Sequence, residues 1–176
     1  DVQELATWAQ EKAIDLTVVG PESYLAQGIA DVFAQKGLLL FGPTQQAAQL
    51  ETSKLYAKDF MSRYGIPTAK YQAFDDYSTA LAYLENQEFP LVIKADGLAA
   101  GKGVIIAQDR RTGEQALKDM MVQRVFGNAG TKVIIEEFLE GEEATILAFC
   151  DGERFLPMPA AQDHKRVFDG DQGPNT

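Results

Sequence analysis

Apolar and polar positions along this chain follow two periods, and the switches between them mark its elements. Residues 3–13, QELATWAQEKA, set Leu5, Trp8, Ala9 and Lys12 at helical spacing and predict a helix. The apolar run IDLTVVG predicts a short strand that stops at Gly20-Pro21. Residues 24–36 return to the helical period, with Leu25, Ile29, Val32 and Phe33 on one face and Gly37 as the stop. LLLF is a second strand, ending at Gly42-Pro43. Strand, helix and strand in succession over residues 16–41 predict parallel strands covered by helices.

That unit resembles the end of a Rossmann-like domain whose beginning is missing. In such sheets ligands gather at the carboxyl ends of strands. Gly20-Pro21-Glu22 and Gly42-Pro43-Thr44 stand at those ends, and both also read as plain strand-terminating turns. Residues 44–64 predict a third helix with Leu50, Leu55, Phe60 and Met61 inward, ended by Gly65-Ile66-Pro67. AKYQAF predicts a strand, Asp75-Asp76 a break, and residues 78–87 a helix. LVIKA and VIIAQ predict strands and residues 113–125 a helix. KVIIEEFL predicts a strand running into the polar break Glu140-Gly141-Glu142-Glu143. ATILAFCD and RFLPM predict a strand pair around the turn signal Asp151-Gly152. The fold class expected is α/β and α+β, with no internal repeat and no low-complexity segment.

Composition narrows the function classes. The 176 residues, 45% of them hydrophobic, suffice for one sizeable core or two small ones. A net charge of −10 repels phosphate backbones, and the longest basic cluster is only His164-Lys165-Arg166, so no nucleic-acid partner is expected. The single cysteine, Cys150, cannot form an internal disulfide; its apolar run TILAFC predicts a buried thiol, as suits a reducing cytoplasm. No signal peptide and no apolar stretch of spanning length are visible, so no membrane partner is expected. The chain starts at Asp1 rather than Met and stops at Gly173-Pro174-Asn175-Thr176, so both ends read as cuts within a longer protein. Five acids, Glu136, Glu137, Glu140, Glu142 and Glu143, crowd one short segment. They read either as a solvated loop or as a grip on ribose hydroxyls or a metal.

The segment FPLVIKADGLAAGKGVIIAQ, residues 89–108, carries the candidate chemistry. A P-loop needs four residues between its glycines, then Gly-Lys-Ser/Thr and a helix. Here three residues separate Gly97 from Gly101, Gly103 takes the place of the hydroxyl, and the following VIIA is β-branched. The dinucleotide pattern G-x-G-x-x-G fails too. The segment predicts a strand, a long glycine-rich loop with Lys102 in it, and a second strand. Such a hairpin can fold over a triphosphate through its backbone N–H groups and a lysine. Lys94, on the preceding strand, is costly in apolar surroundings unless it meets an anion; the alternative is an outward-facing lysine on an edge strand.

Strand-lysine, glycine-rich flap and an apolar strand ending in Glu-Glu-Phe-Leu resemble the ATP-grasp ligases. Within them the chain is similar to the family of glycinamide ribonucleotide synthetases (phosphoribosylamine–glycine ligases) over essentially its whole length. The resemblance rests on Gly20-Pro21-Glu22, Gly42-Pro43-Thr44, Leu50-Glu51 with Ser53-Lys54 and Lys58, and Gly65 to Ala69. It continues through Ile93 to Gly103, Glu136 to Glu143, Gln162 to Arg166, and Gly170-Asp171 with Gly173 to Thr176. The last two are specific to this ligase family.

The resemblance implies that ATP, glycine and 5-phosphoribosylamine give ADP, phosphate and glycinamide ribonucleotide through a glycyl phosphate, in de novo purine biosynthesis. It implies a Rossmann-like end over 1–52, a linker helix and start of the ATP-grasp region over 53–70, a small subdomain with the flap over 71–140, and the start of a large subdomain over 141–176. Lys94, Lys102, Asp163 and Arg166 form the expected catalytic set. Lys54, Lys94 and the Gly101-Lys102-Gly103 loop are expected on the phosphates, the backbone of Glu136, Glu137, Phe138 and Leu139 on the adenine, and Glu143 on the ribose. Glycine and phosphoribosylamine are expected at Gly20, Pro21, Glu22, Asp163, His164, Lys165, Arg166, Pro174, Asn175 and Thr176. The cofactor is ATP with magnesium, or manganese, whose ligands are expected outside this chain, so no metal residue is assigned within it. A cytoplasmic monomer is expected for the full-length form, and no turnover by this piece alone. The alternatives are another ATP-grasp ligase of nucleotide metabolism and a non-catalytic ATP-binding module. Retention of Lys54, Lys94 and Lys102 speaks against the second.

Overall fold

The computed structural model of the chain describes residues 1–99, 102–163, 166–170 and 172–175, and of Arg166, Pro174 and Asn175 only the backbone. It falls into two compact units, Asp1–Phe138 and Leu139–Thr176.

The first unit opens with α1 (Val2–Glu11), whose N-terminus is capped by the Asp1 carboxylate accepting from the Gln3 N–H at 2.7 Å. Strands β1 (Thr17–Val18) and β2 (Leu40–Phe41) pair in parallel, as the strand–helix–strand pattern predicts. Ala6 and Ala9 of α1 pack with Ile29 and Phe33 into a small core that Val19, Leu25 and Leu40 complete. The helix expected over 24–36 is two helices, α2 (Glu22–Ala26) and α3 (Ile29–Gln35). The break is Gly28, in the left-handed region at φ 80°. A β-carbon there would meet the Gln45 side chain at 3.4 Å, an ordinary contact, so it is the angle that favours glycine.

The helix expected over 44–64 also divides, into α4 (Gln45–Thr52) and α5 (Lys54–Tyr64). Ser53 between them is extended, at φ −133° and ψ 113°, and its hydroxyl accepts from the Tyr56 N–H to cap α5. Beyond it lies a four-stranded antiparallel sheet of β3 (Tyr71–Phe74), β4 (Leu91–Ala95), β5 (Val104–Ala107) and β6 (Val133–Glu137), in the order β3-β6-β4-β5. The helix expected over 78–87 is α6 (Tyr77–Leu84), capped by Asp76, whereas the one expected over 113–125 is displaced toward the N-terminus as α7 (Arg110–Leu117), capped by Asp109. Residues Lys118–Val122 leave the α-helical pattern for a π-helical turn.

Period-two alternation gives the sheet two faces. Leu91, Ile93, Ala95, Val133 and Ile135 are buried with Ala80 and Leu84 of α6, Ala116 and Leu117 of α7, and Met120. The opposite face carries Val92, Lys94, Ile134 and Glu136, and α5 lies against it through Lys58.

The second unit contains two antiparallel strand pairs, β7 (Ala148–Cys150) with β8 (Phe155–Pro157), and β9 (Arg166–Phe168) with β10 (Gln172–Asn175). The first pair turns at Asp151-Gly152 as its sequence predicts, with Gly152 at φ 95°. Every residue of β7 and β8 is exposed. Cys150 is therefore exposed rather than buried, which corrects the expectation drawn from its apolar neighbours. A strand pair buries a face only when another layer covers it.

Candidate functional site

The polar face of the large sheet builds the site. Lys94 sits on β4, which has β6 on one side and β5 on the other, so it is a central-strand residue and not an edge lysine. Glu136 on β6 is only 4% exposed. Lys94 pairs across the ladder with Ile134, which places Glu136 on its diagonal and within reach of a long side chain. Its ammonium lies 2.9 Å from Glu136 Oε2. Lys58 of α5 reaches the same oxygen at 3.2 Å, and also donates to Thr68 Oγ1 at 2.7 Å and to the Ala69 carbonyl at 3.2 Å. The Tyr71 ring, directly opposite Glu136 on β3, stands 5.5 Å from the Lys58 ammonium. Glu136 Oε1 is buried and has no hydrogen-bond partner among the described residues.

One turn earlier on α5, Lys54 donates to the Gly97 carbonyl at 2.9 Å. Lys54 and Lys58 are four residues apart, hence on one helix face. Burial pushes the Lys54 ammonium below its ordinary value; Asp96 opposes that shift and Lys94 adds to it. Asp96, at the end of β4, ties the loop to the helix. Its carboxylate accepts from the Ser53 hydroxyl and from the Leu55 N–H, both at 3.1 Å. The break between α4 and α5 thus exposes the first N–H groups of α5 to a carboxylate on the neighbouring strand.

The glycine-rich segment starts and ends close to these lysines. Gly97 is at φ 112°. Gly103 is buried, and a β-carbon on it would lie 2.6 Å from Ala99 Cβ. Between loop and helix lies a cleft of about 380 Å³, lined by Lys54, Lys58, Lys94, Gly97, Gly103 and Glu136 together with Glu22, Glu51 and Met61. Positive side chains, glycine backbone and apolar walls on one cleft suit a polyanionic ligand with an apolar part.

Of the residues expected from sequence, the structure brings Lys54, Lys94, Gly103, Glu136 and Glu22 to this cleft. Gly20 and Pro21 precede it in the turn that leads into α2, with Pro21 at the cap position. Lys102 is exposed, its N–H donating to the Ala99 carbonyl at 3.0 Å. Glu137 turns to the other face, where Oε1 accepts from the Lys70 N–H at 2.9 Å. With Phe138 it lines a second cleft of about 580 Å³ beside Tyr83 and Leu91. Leu139, Glu143 and Asp163 belong to the second unit and are exposed there. Gly101, His164, Lys165 and Thr176 lie outside the described residues, as do the side chains of Arg166, Pro174 and Asn175. The sequence gives no role to Lys58 or Asp96, although the four-residue spacing of Lys58 from Lys54 is a visible signal.

Among the described residues no three His, Cys, Asp or Glu side chains come together as a metal cage. No helix there is long and apolar enough to cross a membrane.

Comparison with known proteins adds the family. Residues 1–51 match the model described as phosphoribosylglycinamide synthetase, N domain, and residues 52–176 match phosphoribosylglycinamide synthetase, ATP-grasp (A) domain. A phosphoribosylamine–glycine ligase of Vibrio vulnificus is 56% identical over the whole chain, which covers 41% of that protein. The chain thus spans well under half the length of the curated relatives it matches. The crystal structure of a phosphoribosylamine–glycine ligase from Thermotoga maritima superposes with TM-score 0.72 at 39% identity, covering 78% of this chain and 35% of that one. A biotin carboxylase from Campylobacter jejuni shares the fold alone, at TM-score 0.68 and 18% identity over 82% of this chain and 33% of its own. By its sequence from end to end, the chain belongs to the phosphoribosylglycinamide synthetase family and carries residues of its N domain and of its ATP-grasp domain.

Proposed function

We propose that the protein bearing this chain is an ATP-dependent ligase joining glycine to 5-phosphoribosylamine, and that the lysine-lined cleft holds the ATP phosphates. The observation that carries this reading is the convergence of Lys54, Lys94 and both ends of the glycine-rich segment on one cleft in a chain of this family. The chemistry is transfer of the γ-phosphoryl group to the glycine carboxylate, then displacement of phosphate by the amine of phosphoribosylamine. Such transfers depend on positioning and charge neutralisation more than on covalent help from the protein. Lys54 and Lys94 neutralise phosphate oxygens, and the loop bearing Gly101, Lys102 and Gly103 covers them and keeps water from the acyl phosphate. The end of β6, from Glu136 to Leu139, offers backbone groups to the base edge, and Glu143 takes the ribose hydroxyls. Gly20, Pro21 and Glu22 are assigned to phosphoribosylamine, Pro174, Asn175 and Thr176 likewise by the family's motif, and Asp163, His164, Lys165 and Arg166 are assigned to glycine and the reacting phosphate. Magnesium, or manganese, accompanies ATP in this reading. The described residues do not fit a metal cage, so no step is assigned through a metal here.

The test is ADP release by the full-length protein with ATP and magnesium, omitting glycine or phosphoribosylamine in turn. Release that requires both, and that Lys94→Ala abolishes, is the expected result. Release with a different carboxylate or amine acceptor only would move the protein to another ATP-grasp ligase. Nucleotide binding without any release would make it a binding module.

A further inference from the structure

Two ammonium groups share one carboxylate oxygen, and they are not equivalent. Lys58 is nearly sealed, with a side chain 7% exposed, while the Lys94 side chain is 28% exposed and opens on the cleft. Lys58 is held on three sides, by Thr68 Oγ1, the Ala69 carbonyl and Glu136, with the Tyr71 ring nearby. Among the described residues Lys94 makes one ion pair, with Glu136. A buried carboxylate stripped of its counter-charge is among the costliest groups a protein can hold. If Lys94 were the only cation on Glu136, turning it toward a ligand would leave Glu136 buried and unpaired.

We propose that Lys58 is a positioning residue: it keeps the buried Glu136 carboxylate compensated, so that Lys94 is free to leave Glu136 for an anionic ligand in the cleft. This rests on reading the cleft as a phosphate site. It assigns the three lysines different work. Lys54 and Lys94 meet the ligand; Lys58 never does, yet ligand affinity depends on it because it decides what Lys94 loses by moving. The unpartnered Glu136 Oε1 belongs to the same arrangement. Both cations gather on Oε2, so the departure of one still leaves the other in contact with that oxygen.

The experiment is direct titration of the full-length protein with ATP and magnesium, without glycine or phosphoribosylamine. Lys58→Met is expected to weaken binding about tenfold or more, because Lys94 becomes captive to Glu136. Lys58→Met added on top of Glu136→Gln is expected to leave affinity within about threefold of Glu136→Gln alone, because no buried charge remains to hold Lys94. Lys58→Arg, which retains the cation, is expected to keep most of the affinity. A merely structural Lys58 would weaken binding equally whether residue 136 is charged or not, and that outcome overturns the proposal. If Lys58→Met alone does not fold, the comparison of Glu136→Gln with the double variant decides by the same criterion. Wild-type protein that binds no ATP would instead defeat the underlying reading of the cleft.

Discussion

Gly103→Ala adds one methyl group at the base of the glycine-rich segment, and the structure says where it goes. The new carbon would lie 2.6 Å from Ala99 Cβ and 3.3 Å from Ala95 Cβ. Gly103 cannot retreat freely, because its carbonyl accepts from the Ala95 N–H at 2.8 Å and begins the β4–β5 ladder. Ala99, in the loop, must move instead. Its carbonyl accepts from the Lys102 N–H, and two residues before it Gly97 holds Lys54. The clash is an overpacking of about 1–3 kcal/mol, and Gly103 is not among the glycines at positive φ, so the cost is steric alone. Ala99→Gly removes the opposing methyl at an entropic cost of about 0.5–1 kcal/mol. Urea unfolding and ATP titration of the single and double variants are the assays. Gly103→Ala should lose both stability and ATP affinity, and Gly103→Ala/Ala99→Gly should recover both to within the Ala99→Gly penalty. A double variant as impaired as the single one would refute this steric account of the loop base.

Three further outcomes follow from the same geometry. Burial holds Lys54 below its ordinary value, so the free protein gains stability as pH rises from that lowered value toward 10.5, where the unfolded chain still holds the proton. Over the same window phosphate binding must restore the proton, so calorimetry in buffers of different ionisation enthalpy should show proton uptake with ATP, and Lys54→Met should abolish it. Asp96→Ala removes the acceptor of the Ser53 hydroxyl and the Leu55 N–H, and should destabilise the α5 N-terminus by about 0.5–2 kcal/mol in urea unfolding and weaken ATP binding by misplacing Lys54. The isolated 176-residue chain, which covers 41% of a Vibrio vulnificus relative, should show no glycine-dependent ADP release.

Sequence by itself determined most of the elements and the type of loop. The glycine spacing, Gly103 in place of a hydroxyl and the β-branched run VIIA excluded a P-loop helix, and the structure has the antiparallel β4–β5 pair there. The break at Asp75-Asp76 marked the start of α6, where Asp76 caps the helix, whereas the helix expected from residue 113 starts at Arg110 under the Asp109 cap, a local signal that apolar periodicity does not carry. What only the tertiary structure decided depends on partners far along the chain. Ser53 reads as one more residue of a long helix, yet its hydroxyl answers to Asp96, 43 residues away, and the helix divides there. Gly28 falls inside the expected helix over 24–36, yet its backbone turns left-handed at φ 80° and the helix divides there. The five-acid run reads as a solvated loop or a grip on ribose hydroxyls or a metal, but β6 buries Glu136 among lysines and turns Glu137 to the opposite face, because a strand sends neighbours to opposite sides. Lys58 shows the limit most plainly. Local sequence places it on the face of Lys54, and only the packing of α5 against the sheet seals it onto Glu136, where low solvent access makes the pairing matter.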